Sequence, residues 1–291
     1  MKSSKIRLAL ATSLLSTSAL AQNVSSGKTE VAAEGKEKAT AVPAAIDDAT
    51  ELTLQGGGLL AGGNARSFAL TTSGKFLLRR GPHEFNAGAA MNYAESVAPA
   101  VAPTDPKGPM NPTVENYQGR LRYDYFFDEQ ASGFFAVSAR RDRFQGIDLR
   151  LGLDPGVSAY AIRNDEIKLW GELGYNFQFD AFNAEAQAAR ATLVPQPDSL
   201  STRTDHNVRM FLGYAHRMDK RLSLDVGLEG FKSVVEADAW RLNFAAQLTT
   251  QLFERFSFAV GAVTLYNNFP GVPGIEKLDV TSSMSFVYQL L

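Results

Sequence analysis

The chain has no cysteine and only three histidines and two tryptophans in 291 residues. Without cysteine there are no disulfides, no thiolate nucleophile and no cysteine-held metal site. The histidines, His83, His206 and His216, are scattered on separate segments with no ligand spacing, so no metal and no cofactor are expected. No charge of one sign dominates: 29 Lys+Arg stand against 31 Asp+Glu. That excludes the strong basic excess that marks nucleic acid as a partner. No run reaches the 18 or so consecutive apolar residues a transmembrane helix needs. A mean hydropathy of −0.14 reads at face value as a soluble protein. A membrane barrel that alternates apolar and polar residues has an equally modest mean.

The N-terminus carries the clearest local signal. Lys2, Lys5 and Arg7 form a basic region, Leu8 to Leu20 an apolar stretch diluted by Ser and Thr, and Ala19-Leu20-Ala21 a small-residue end. This predicts a signal peptide over 1–21 for Sec export, cleaved before Gln22. The stretch is too short and too polar to serve as a membrane anchor. Residues 22–50 are small and charged, as in Gly27-Lys28-Thr29-Glu30 and Glu34-Gly35-Lys36-Glu37-Lys38. Such a composition cannot bury a core and predicts a disordered periplasmic leader.

From Glu51 to Leu291 the period is two. In Tyr117 to Phe127, Tyr117, Leu121, Tyr123, Tyr125 and Phe127 alternate with Gln118, Arg120, Arg122 and Asp124. Lys168 to Asp180 and Trp240 to Leu252 repeat the pattern. On a strand the two sets point to opposite faces. Runs of this length exceed the usual five or six residues of a globular strand and match the roughly 9–11 of a tilted membrane strand. The expected fold is all-β: a transmembrane antiparallel up-and-down barrel of about twelve strands. Its strands are expected to start near Glu51, Arg66, His83, Asn116, Gly133, Asp148, Glu166, His206, Leu222, Ala239, Phe256 and Val280.

The connections sort into two kinds. Arg80-Gly81-Pro82, Asp128-Glu129-Gln130, Arg163-Asn164-Asp165, Met218-Asp219-Lys220 and Phe253-Glu254-Arg255 read as tight turns. Residues 95–115, 181–205 and 268–279 read as long loops, and all three fall on the opposite end. Short periplasmic turns and longer extracellular loops produce this asymmetry, with both termini in the periplasm. Residues 98–113 hold five prolines and predict a stiff extended loop. Tyr125, Phe127, Phe256 and Phe258 near the tight turns, and Tyr93, Tyr117, Tyr175, Phe177 and Tyr266 at the far ends, fit two aromatic girdles.

If the apolar face meets lipid, the polar face lines the lumen. It places Arg120, Arg122, Arg140, Arg150, Lys168, Arg209 and Arg241 inward, with Asp124, Asp142, Asp154, Glu172, Asp225 and Glu229. Near balance argues against strong ion selectivity. Eight-stranded barrels fill their interior and sixteen-stranded porins leave a channel. Two readings remain: a packed, salt-bridged polar interior, and a small-solute pore. Asp142 and Arg150 are expected to be inward neighbours across one hairpin, joined by an odd loop such as Gln145-Gly146-Ile147 with a left-handed glycine.

Catalysis has little support. Asp205-His206, at an expected extracellular strand start, is the one pair that suggests an outer-rim protease, and it has no matching acidic partners. His216 is the one candidate for a lipase, but it lies beside an expected periplasmic turn with no supporting motif. No catalytic residue is assigned, and the expected protein is not an enzyme.

Tyr117-Gln118-Gly119-Arg120-Leu121-Arg122-Tyr123-Asp124-Tyr125-Phe126, followed by Ala139-Arg140-Arg141-Asp142-Arg143-Phe144-Gln145-Gly146-Ile147-Asp148-Leu149-Arg150, resembles the salt-induced outer-membrane protein family, domain of unknown function 481. Phe76-Leu77-Leu78-Arg79-Arg80-Gly81 and Glu172-Leu173-Gly174-Tyr175 resemble its repeating phrases. The resemblance implies an outer-membrane barrel with a structural or osmotic-stress role, and no reaction or catalytic residue. The expected partners are outer-membrane lipids, lipopolysaccharide and, during biogenesis, the barrel-assembly machinery. Barrels of this type usually end on an aromatic, and Leu290 stands in its place, while the alternation Met284, Phe286, Tyr288, Leu290 is kept.

Overall fold

The computed structural model describes residues 48–61, 66–97 and 108–290. The expected signal peptide, nearly all of the expected leader, and residues 98–107 of the proline-bearing loop lie outside them. Twelve strands follow in order: β1 Ala49–Ala61, β2 Ser67–Arg80, β3 His83–Ser96, β4 Asn111–Phe126, β5 Ala131–Asp142, β6 Ile147–Arg163, β7 Ile167–Phe182, β8 Thr202–Arg217, β9 Leu222–Ser233, β10 Trp240–Phe253, β11 Phe256–Asn267 and β12 Leu278–Gln289. One short helix, α1 Ala184–Arg190, sits in the β7–β8 connection. Each strand pairs antiparallel with its sequence neighbours, and β1 closes on β12 from Thr53 opposite Gln289 to Gly56 opposite Phe286. Closure joins the two edge strands, the condition for a sheet to stand in lipid, through a four-pair seam, the shortest in the barrel.

Alternation sets the faces. On β4, Leu121 is 52% exposed and Arg122 is 3% exposed. Leu173, Met210, Val260 and Met284 continue the exposed apolar face around the outside. Strands of 12 to 17 residues exceed the length needed to span, and the surplus is polar. This explains two differences from the sequence reading. β4 begins at Asn111 rather than near Asn116, and β8 at Thr202 rather than near His206. Polar residues at the strand ends carry no hydrophobic alternation, yet backbone pairing continues through them. Likewise β1 starts at Ala49, inside the segment expected as leader.

The five tight connections share one end with the first and last strand termini, termed here the turn end. Three close on an Asx turn: Asp128, Asn164 and Asp219 each accept backbone N–H groups two and three residues on. These two bonds, from Arg221 first and then Leu222, hold the Asp219 carboxyl below its ordinary pKa. Gly81, with φ 52°, takes the left-handed position in the β2–β3 turn.

The β5–β6 hairpin keeps Asp142 and Arg150 on the inner face, as expected, but corrects their register. Its loop has four residues, a 3-10 turn over Arg143–Gln145 followed by Gly146 at φ 73°. A bulge between Arg140 and Asp142 compensates for the even loop, so Arg140, not Asp142, stands opposite Arg150. Asp142 caps the turn, accepting from the Gln145 N–H at 3.1 Å. The left-handed glycine is where the sequence placed it. The three-residue loop is not.

Candidate functional site

The inner face carries charge along its length, most densely from the middle of the barrel to its loop end. Glu172 on β7 lies at the centre. Its carboxylate accepts from Arg122 Nη1 of β4 at 3.0 Å and from Arg209 Nη1 of β8 at 2.8 Å. Arg122 also forks onto Asp124, with Nε and Nη2 each at 2.9 Å, and lies 3.9 Å over the Phe134 ring. Arg209 Nε donates to Glu229 of β9 at 2.7 Å, and Asn243 of β10 donates to the other Glu229 oxygen at 3.0 Å. β4 and β7 are three places apart in the barrel order, so the Arg122–Glu172 contact crosses the interior instead of following the wall. All five charged side chains are at most 3% exposed. Two guanidiniums thus hold three carboxylates out of water, each with several charge-assisted bonds, the condition under which buried charges are tolerated.

Below this bridge, toward the turn end, the interior carries an aromatic cluster among further buried polar groups. Phe126, Tyr160, Trp170, Phe211 and Ala215 form a buried cluster, with Trp170 ring centroids 6.0 Å from Tyr160 and 5.9 Å from Phe211. Glycine makes the space: a Cβ on Gly213 would lie 2.2 Å from the Trp170 ring, and one on Gly156 2.5 Å from Phe134. The rings therefore lie flat on the wall. At the turn end itself, Arg79 pairs with Glu84, which is fully buried.

Above the bridge, further pairs ring the inner wall. Arg120 lies 3.7 Å from Asp154, which also accepts from Asn176 at 2.6 Å. Arg140 pairs with Asp142. Arg150 forks onto Asp180 at 2.6 and 2.8 Å, and Arg203 reaches Asp205 at 2.9 Å. The structure thus joins Arg150 to Asp180, a residue outside the sequence-derived set, and not to Asp142. On the turn-end side of the bridge, Lys168 is buried and Asp225 is half-buried, both paired with Ala215. Arg241 is half-buried, 4.6 Å over the Phe231 ring.

The loop end is partly covered. α1 starts on Asn183, whose side chain accepts from the Ala186 N–H, and packs Ala186 with Phe182 and Val272. Arg190 at its end donates to the carbonyl oxygens of Gly271 at 2.7 Å, Ser199 at 2.9 Å and Leu200 at 3.2 Å. It ties the β7–β8 connection to the β11–β12 connection. Burial, and then the nearby Arg203 guanidinium, push its pKa down.

Residues 55–290 match the family described as "Protein of unknown function, DUF481". The chain belongs to this family. No curated protein matches it in sequence. Among solved structures, the DUF481 chain is similar to the NanC porin, at 15% identity and a TM-score of 0.47 over 82% of this chain and 100% of that one. It is also similar to the translocator domain of the autotransporter NalP from Neisseria meningitidis, at 11% identity and 0.41 over 82% and 86%. A third is the outer membrane channel DcaP of Acinetobacter baumannii, at 8% identity and 0.33 over 87% and 97%.

Nothing in the DUF481 barrel assembles the histidines. Each lies on the outer face against a tyrosine: His83 Nδ1 is 2.7 Å from the Tyr123 hydroxyl, His216 Nδ1 3.2 Å from that of Tyr214, and His206 bonds Tyr175. Asp205 and His206 are successive strand residues, so they face opposite sides, and Asp205 is engaged inside by Arg203. That separation removes the Asp205-His206 pair as a catalytic unit. The inward aromatics Phe126, Phe134, Tyr160, Trp170 and Phe211 were missed in the sequence. Their signal was present: Phe126 and Trp170 occupy positions in phase with Arg122 and Lys168.

Proposed function

We propose that this DUF481 barrel is a non-enzymatic element of the Gram-negative outer membrane, with an obstructed charged interior and a structural role in the envelope, including under osmotic stress. Its termini and turn end face the periplasm after Sec export and insertion by the barrel-assembly machinery. Its loop end faces outward, among lipopolysaccharide. The exposed apolar belt supports the membrane assignment, since a contiguous apolar surface of this extent is costly in water. The Arg122–Glu172–Arg209 bridge carries the functional reading. It projects from the β4–β8 wall into the space a pore would need, and the Trp170 cluster lies on the same wall beneath it.

A narrow small-solute channel is the second reading. Cavities of about 150 Å³ toward the loop end and about 110 Å³ at the turn end favour it, because an opened bridge could join them. Planar-bilayer recording of the purified barrel separates the two. The structural role predicts no stable single-channel steps from the native protein. Regular ohmic steps, altered by Glu172→Ala, would establish the channel and overturn the first reading.

A further inference from the structure

The cavity of about 150 Å³ lies on the loop side of the bridge. Its wall carries five cations, Arg120, Arg140, Arg150, Arg241 and Lys277, against four carboxylates, Asp154, Glu229, Glu276 and Asp279. Arg241 makes no ion pair and no hydrogen bond among the described residues; its one side-chain contact of note is the Phe231 ring. The carboxylates that act most on it are Asp180, Asp205 and Glu229, opposed by the like charge of Arg150. Each carboxylate is committed elsewhere: Asp180 to Arg150, Asp205 to Arg203, and Glu229 to Arg209 and Asn243. Two more donors on the same wall, Gln118 Nε2 and Arg140 Nε, are buried without a hydrogen-bond acceptor. A guanidinium drawn from water without an acceptor is costly, as is a buried N–H with none. Such donors, unmatched around one cavity, fit an oxyanion supplied from outside. A guanidinium fork suits carboxylate or phosphate.

The rest of the wall sets the body of the ligand. Phe231, Leu265 and Ile275 line the same space as Arg241. A cavity of this volume accommodates a body about the size of benzene.

We propose that this vestibule binds a small organic anion, a compact apolar body bearing one carboxylate or phosphate, with Arg241 as its principal anchor and Gln118 and Arg140 as further donors. The site lies outside the crossing bridge, so it stands whether or not the barrel conducts.

The test uses the full chain refolded in detergent micelles, titrated calorimetrically with benzoate, inorganic phosphate and neutral benzamide. Saturable one-to-one binding of benzoate is expected, with phosphate weaker for lack of an apolar body and benzamide not bound. Arg241→Gln should weaken benzoate about tenfold or more, as loss of a charge-assisted bond does, and Gln118→Leu should weaken it less. Arg80→Gln, at an exposed turn-end position, should leave it unchanged. Folding of each variant is checked by its mobility shift between unboiled and boiled gel samples. Binding of phosphate alone would support an oxyanion site and overturn the organic body. Absence of saturable binding by either anion, equal binding of benzamide, or unchanged affinity in every folded variant would overturn the proposal.

Discussion

Arg122→Gln and Glu172→Gln remove one charge each from the same crossing contact, yet their costs should differ sharply. The bridge holds three carboxylates, Asp124, Glu172 and Glu229, against two guanidiniums, Arg122 and Arg209. Neutralising Glu172 leaves two against two, with Arg122 still forked on Asp124 and Arg209 still on Glu229. The loss is two hydrogen bonds to a charged acceptor, partly replaced by the Gln oxygen, at roughly 1–2 kcal/mol. Neutralising Arg122 leaves three carboxylates facing one guanidinium. It removes both bonds to Asp124, which is fully buried, and the stacking on Phe134. Breaking a buried pair from one side costs about 3–5 kcal/mol. Equilibrium urea unfolding in micelles reads the difference. With a slope of about 2 kcal/mol per molar, Arg122→Gln should lower the midpoint by about 2 M and Glu172→Gln by about 0.5–1 M. Adding Asp124→Asn to Arg122→Gln should recover part of the loss. Equal midpoints for the two single variants would refute the charge accounting.

Gly213→Val should force the Trp170 ring off the wall, because the new Cβ would stand 2.2 Å from it; overpacking of this kind costs about 1–3 kcal/mol, read as a lowered unfolding midpoint together with a changed tryptophan emission. Asp219 has a folded pKa below its unfolded value, so its contribution is present above the ordinary aspartate pKa and is lost as the pH falls through the lower folded value. Asp219→Asn keeps the acceptor oxygen, so its midpoint should fall less than the native one between pH 5 and pH 2; parallel curves would count against the turn. Arg190→Ala should release the β7–β8 connection, giving faster hydrogen exchange and proteolysis within 183–201 and unchanged exchange in the barrel strands.

The barrel was legible because one force writes both faces. Lipid selects the apolar set on one side of Tyr117 to Phe127, and the polar set follows by default. Turn chemistry was equally plain, since Asp128, Asn164 and Asp219 act through bonds to their own near neighbours. The strand starts at Asn111 and Thr202 were hidden because pairing beyond the apolar band leaves no side-chain pattern. Partner choice inside was hidden for another reason. Arg150 finds Asp180 across the β6–β7 pair rather than Asp142, because a single bulge at Arg140–Asp142 redirects the hairpin. Contacts between strands three apart, such as Arg122 with Glu172, depend on the barrel's diameter and stagger, which no local pattern encodes.

The hydrogen bonds of the Arg190 latch all go to main-chain oxygens, those of Ser199, Leu200 and Gly271, while its guanidinium lies 4.2 Å over the Phe182 ring inside the barrel mouth. Such a grip does not read the identity of the side chains above it. Exposed positions in the same connection, such as Val194 at 95% exposure, are free to change without loosening the cover. Insertions and deletions are another matter, because they move the carbonyls themselves. The outward surface of this barrel can therefore drift in composition while its loop lengths are held, which separates what the surroundings see from what keeps the vestibule covered.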